Sequence, residues 1–254
     1  MKIFVFSKNN VIFYGLLCVC LVCFVALRSS GYIDAVSTSA RLLPIYSVET
    51  EQKCVVITFD SAWGDEDTQQ ILDVLEKNNA RATFFVTGDY LDRCSASAKA
   101  FFDAGHEIAN HSDMHPHPNK MSKQELIDDT QKCEQKIIAL TGKSVMLYRS
   151  PYGEYNNSVV ETINSMGYSF IQWDADSLDY KGLGAEEIKT RICSRVKNGS
   201  IILFHTGTKN TADALAILLP KLAEQGYSFV PASELIYKDG FYIDNTGRQI
   251  KNTT

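Results

Sequence analysis

The chain has no lysine-rich block, no internal repeat and no low-complexity tract, and Cys54, Cys94, Cys133 and Cys193 form no CxxC pair. Each absence excludes something. Without a basic arm, and with a net charge of −5, the protein is not built to hold nucleic acid or anionic polymers through bulk charge. Scattered thiols rule out a zinc ribbon or a dithiol redox motif and read as buried, inert side chains. A composition of 45% hydrophobic and 22% charged residues argues against disorder. The length, 254 residues, suits one large α/β domain or two small ones.

The N-terminal part differs in kind. Val11 to Leu27 carries no charge, with Lys2 and Lys8 before it and Arg28 after it. At about 1.5 Å per residue a helix of this run just spans a hydrocarbon core, so residues 1–28 are expected to be a transmembrane anchor or a signal peptide. The small residues Val36 to Ala40 lie well past the run, which favours the uncleaved anchor. Cys18, Cys20 and Cys23 act there as small hydrophobes. The basic residues place the main domain outside the membrane, by a narrow margin because Arg28 and Arg41 lie on the far side. Residues 29–52, rich in small residues, are expected to be a linker, residues 53–240 a single catalytic domain and residues 241–254 a polar tail.

From Cys54 onward, strand-like runs (54–59, 82–86, 106–109, 145–149, 168–172, 200–204 and 227–230) alternate with helix-like stretches (66–78, 122–140, 156–166, 185–197 and 211–225). Ser122 with Glu125 is a capping box, and Gly142, Gly167 and Gly226 stand where helices should stop. The alternation predicts parallel β-α units, too many and too short for two domains, hence one closed or nearly closed barrel; an open doubly wound sheet is the alternative. In either fold the loops after the strand C-termini build the site. Asp60 follows the first strand, and Asn110, His111 and His115 the third. Arg149, Ser150, Pro151 and Tyr152 follow the fourth, Trp173, Asp174, Asp176 and Asp179 the fifth, and His205 the sixth. Reactive side chains thus gather at one end of the barrel. His111 and His115 would meet on one face if the backbone turned helically, and paired imidazoles suit a divalent metal such as zinc.

Taken in order, Thr58-Phe59-Asp60, His111-Ser112-x-x-His115, Arg149-x-Pro151-Tyr152, Asp176-x-x-Asp179-Tyr180 and Leu203-x-His205 resemble the polysaccharide deacetylases of the NodB type, carbohydrate esterase family 4. The resemblance runs from about Cys54 to Leu235 and implies a deformed (β/α)7–8 barrel and one divalent metal, zinc first, with cobalt or manganese as alternatives. It also implies removal of N-acetyl groups from an N-acetylated glycan, peptidoglycan before chitin-like oligomers, by a monomer. The form Thr58-Phe59-Asp60-x-x-Trp63-Gly64 is similar to the sporulation-associated branch. By the same resemblance Asp60 is the general base, oriented by Arg149, and His205 the general acid, oriented by Asp179. His111 and His115 are metal ligands. Tyr180 and Leu203 wall the acetyl pocket, Tyr152 offers a backbone N–H to the oxyanion, and Trp63 is placed to stack on a sugar.

The sequence departs from the family at one position. Ser61 stands where the family has a second, metal-binding Asp. Solvent could fill the place, Asp65 or Glu66 in the same loop could reach in, or the metal site could be degenerate, which leaves a glycan-binding homologue as the competing function. A barrel hydrolase of small cyclic amides is a third reading. Asp65 also suits a helix cap, His106 a structural ring inside the barrel, and His117 an exposed loop between Pro116 and Pro118.

Overall fold

The protein is seen in a computed structural model that describes residues 8–29, 41–144 and 146–252, with side chains from residue 12 to 26 in the first span. The chain divides into two units, Met1–Arg41 and Leu42–Thr254. In the first, helix α1 (Lys8–Ser29) forms where the apolar run predicts it. Among the described residues, however, no helix is long and apolar enough to cross a membrane.

The second unit holds, in chain order, β1 (Ser47–Val48), β2 (Cys54–Ser61), α2 (Thr68–Lys77), β3 (Ala82–Val86), α3 (Gly88–Arg93), α4 (Ser95–Asp103) and β4 (Glu107–Asn110). There follow α5 (Lys123–Thr141), β5 (Leu147–Tyr148), α6 (Asn157–Ser165), β6 (Ser169–Phe170), β7 (Ala175–Asp176), α7 (Ala185–Cys193), β8 (Ile201–His205), α8 (Thr211–Glu224), β9 (Ser228–Phe229), α9 (Ala232–Leu235), β10 (Phe241–Ile243) and β11 (Arg248–Lys251). The main sheet runs β6-β5-β4-β3-β2-β8-β7, with β9 also on β2, and every pairing in it is parallel. It curls into the expected deformed barrel, open between β6 and β7.

Side-chain parity along β2 divides the core. Val55, Ile57 and Phe59 face the outer helices and pack with Phe84, Phe204, Ile71, Leu75 and Leu218. Cys54 and Val56 point into the barrel with Phe85, Ala109, Leu147 and Ile201. Asp60 continues the inward row, so a strand period of two delivers its carboxylate to the barrel mouth. The helix signals hold as well. Ser122 and Glu125 form the capping box of α5, and Gly142, Gly167 and Gly226 all take positive φ just past their helices.

Several boundaries differ from those expected. The linker assigned to 29–52 ends by residue 41: Ile45 and Val48 are buried, Ile45 bridges to Ile171, and Ser47 bridges to Ser200, so this segment packs across the open side of the barrel. The tail assigned to 241–254 contains β10 and β11, which join β1 in a second, three-stranded sheet. Its polar surface hid the pairing, because only Gln249 of β11 is buried, and its side chain bonds to the backbone of Tyr237. Helices α3 and α4 are additional to the expected ones. Of the predicted 168–172 strand, only Ser169–Phe170 forms β6, and Ala175–Asp176 makes the separate strand β7.

Candidate active site

Asp60 and His205 end adjacent parallel strands and are register partners. Each has its own opposite charge. Arg149, fully buried after β5, donates from Nη1 to Asp60 Oδ1 at 2.7 Å and from Nη2 to the carbonyl of Gln172 at 3.1 Å. Its guanidinium lies 4.1 Å over the Phe85 ring and 5.4 Å from that of Trp173. Burial alone would raise the Asp60 pKa, but the charge and hydrogen bond of Arg149 outweigh it, so the carboxyl is held below its ordinary range and stays ionised.

On the other strand, Asp179 grips His205 at two points. Its Oδ1 lies 2.7 Å from Nδ1, and its Oδ2 accepts the backbone N–H at 2.8 Å. Thr211 donates to the same Oδ2 at 2.6 Å. Burial would lower the His205 pKa, yet the hydrogen bond and charge of Asp179 prevail and raise it. Asp179 is likewise kept ionised: burial opposes its charge, and the bond to His205 overrides that. The mouth therefore carries an ionised carboxylate beside an imidazole whose charged form is favoured.

His111 and His115 approach each other, with ring centroids 5.1 Å apart. They do not do so on a helix. Residues 111–116 form a loop in which Ser112 and His115 both take left-handed backbone angles, φ 73° and 54°. Asp129 of α5 holds the loop by accepting the N–H of Asp113 at 3.0 Å and that of Met114 at 3.3 Å. The His111 Nδ1 is 2.9 Å from the Arg149 carbonyl, which leaves Nε2 facing the mouth, 3.6 Å from Asp60 Oδ2. Burial lowers both imidazole pKa values, that of His115 to about 4, so both rings are neutral and able to ligate.

These groups surround a cavity of about 320 Å³ lined by Asp60, Ala62, Trp63, His111, His115, Tyr152, Gly153, Trp173, Asp176, Tyr180, Leu203 and His205. Of the residues predicted from sequence, Arg149 and Asp179 stand directly behind this wall, and Ser61, Asp65 and Glu66 do not line it. Asp65 accepts a bond from Ser97 Oγ at 2.6 Å on the far side of its loop, so it does not replace a metal ligand. Nor does it cap α2, whose N-cap is Asp67, without a side-chain cap bond. Ser61 is fully buried, one residue out of phase with Asp60, and its Oγ has no hydrogen-bond partner. Among the described residues no group of three or more His, Cys, Asp or Glu side chains could hold a metal ion. A catalytic zinc takes three protein ligands. Two imidazoles are present, and Asp60 is engaged by Arg149, so the residues do not fit a complete metal site.

Several contributors left no mark in the sequence reading. Asp129 and Thr211 act through contacts that no local spacing records. Asp176, expected at the barrel end, lines the cavity. His106 is buried as expected, with Nδ1 towards the Ala82 N–H at 3.4 Å, but its ring lies 5.5 Å from that of Phe84 on the helix side of the sheet and not inside the barrel; His117 is exposed as expected and stacked on Tyr152 at 4.3 Å.

A parallel barrel that brings a carboxylate and an imidazole together at the C-terminal ends of neighbouring strands has the acid–base groups a hydrolase uses. Comparison with known proteins specifies the family. Residues 47–171 match the polysaccharide deacetylase family. A peptidoglycan-N-acetylglucosamine deacetylase of Bacillus cereus is 34% identical, over 75% of this chain and 92% of its own length. The chain belongs to the polysaccharide deacetylase family. The peptidoglycan-N-acetylglucosamine deacetylase PgdA of Listeria monocytogenes is also 34% identical over 78% of this chain, and the match spans only 42% of that longer protein. Among solved structures, a carbohydrate esterase family 4 pseudoenzyme from Bacillus anthracis superposes with a TM-score of 0.73 at 33% identity, covering 77% of this chain and 69% of its own. A mutant of that pseudoenzyme with restored enzymatic activity superposes equally well, at 34% identity and a TM-score of 0.73.

Proposed function

We propose that the domain removes N-acetyl groups from an N-acetylated cell-wall glycan, peptidoglycan foremost, and is thus a hydrolase of linear amide bonds. One observation carries this reading: Asp60 and His205 are register partners, each fixed in its working charge state by a private counter-ion. An amide needs both a proton acceptor for the attacking water and a proton donor for the departing amine. Asp60 is the acceptor and His205 the donor. Tyr180 and Leu203 line the cavity where an acetyl methyl would sit, and exposed Tyr152 and Trp63 offer ring faces to sugars. Among the described residues, a divalent ion, zinc before cobalt or manganese, has His111 and His115 to bind it, which makes its retention weak.

The substrate places the protein on the outer side of the cytoplasmic membrane, with the apolar helix α1 directing export. The similarity of Trp63-Gly64 to the sporulation branch supports work on spore wall polymer. A second reading is favoured by Ser61 and by the likeness to a pseudoenzyme: the domain binds glycan without turnover. Acetate release from N-acetylglucosamine oligomers and from peptidoglycan, with zinc, cobalt, manganese or chelator, separates the two. Metal-stimulated release supports the deacetylase. Glycan binding without release under every condition supports the second reading.

A further inference from the structure

Trp63 sits on the loop between β2 and α2, about half exposed, and its ring lies parallel to that of His205, with centroids 5.0 Å apart and planes 14° from coincidence. Tyr180 meets the same imidazole edge-on at 5.2 Å, and Asp179 holds Nδ1 in the ring plane. The loop under Trp63 is itself clamped. Arg93 donates to the carbonyls of Trp63 at 3.0 Å and Ala62 at 2.9 Å, while its Nε bonds Asp89 at 2.8 Å. Gly64 lies backbone to backbone against Gly207, two residues past His205: a Cβ on Gly207 would come within 2.6 Å of the Gly64 Cα. The Gly207 N–H then donates to Asp67 Oδ1 at 2.8 Å. The segment that carries His205 thereby fixes the loop that carries Trp63.

We propose that Trp63 is a positioning residue for His205, its indole face backing the imidazole ring and favouring it as imidazolium in the orientation that meets the cavity. An indole face carries negative quadrupole density and attracts a cation within about 6 Å of its centroid. A platform serving only a sugar has no need of this parallel fit. Asp179, Asp60 and Asp176 also favour the charged ring, and the indole adds to them from the face on which it stacks. The proposal rests on reading His205 as the proton donor.

The test follows the His205 ring directly, by NMR titration of the full chain labelled with 15N at histidine, in the wild type, Trp63→Leu and Trp63→Phe. Leu keeps apolar cover and removes the π face, whereas Phe keeps a face. Trp63→Leu is expected to lower the His205 midpoint by about half a pH unit, and Trp63→Phe by clearly less. In a turning-over enzyme the alkaline limb of kcat moves down with it. An unmoved midpoint in Trp63→Leu, or equal shifts in Leu and Phe, overturns the proposal, as does a rise in KM with His205 titrating unchanged. Absence of acetate release in all three proteins would refute the catalytic reading, and the titration would still decide the role of Trp63.

Discussion

Arg149 reaches Asp60 across 89 residues of sequence, and the pair is closed to solvent on the guanidinium side. Removing one partner of a buried pair leaves the other uncompensated, at a cost of roughly 3–5 kcal/mol. Arg149→Met is therefore expected to lose about that much stability in urea unfolding. Adding Asp60→Asn should recover part of the loss. A double variant no more stable than Arg149→Met would show that the pair is not coupled.

The Asp179–His205 pair gives stability a defined pH window. The folded pKa of His205 is raised, so its contribution is complete below about 6.5, the unfolded value, and is lost as pH rises through the folded value. The Asp179 pKa is lowered, so its contribution is complete above about 3.9 and is lost as pH falls through its folded value. The destabilisation caused by His205→Gln should accordingly be largest between about pH 4 and 6.5 and shrink in alkali. Melting temperatures of both proteins across that range check the sign.

His106 behaves in the opposite sense. Burial lowers its pKa to about 4, so the neutral ring's contribution is whole above about 6.5 and is lost as pH falls towards 4. The loss approaches roughly 3 kcal/mol at most. Replacing His106 with Gln, which keeps an acceptor for Ala82, is expected to flatten the acid limb of the stability profile.

Ser61→Asp introduces the carboxylate that the family pattern carries. Without metal, a buried and unpaired Asp should lower stability. With zinc or cobalt the variant should gain more stability than the wild type does, because a ligand that binds only the folded state stabilises it in proportion to its affinity. Thermal shifts with and without metal decide this. Equal shifts in the two proteins would mean that His111 and His115 suffice.

The sequence by itself determined what depends on near neighbours. Strand period carried Asp60 to the barrel mouth, the Ser122–Glu125 box started α5, and the alternation of strands and helices defined a parallel barrel whose strand ends gather the reactive side chains. These features were legible because backbone geometry repeats over two to four residues. Tertiary structure alone decided the rest. His111 and His115 meet through left-handed loop residues held by Asp129, where their spacing suggested a helix. Asp65 turns to Ser97, 32 residues away, where loop proximity suggested a ligand. Residues 42–52 and 241–251 look like linker and tail because their short strands bury few side chains until they pair with each other and pack on the barrel. Contacts between distant segments are set by how the sheet curls and closes, and no local spacing records that.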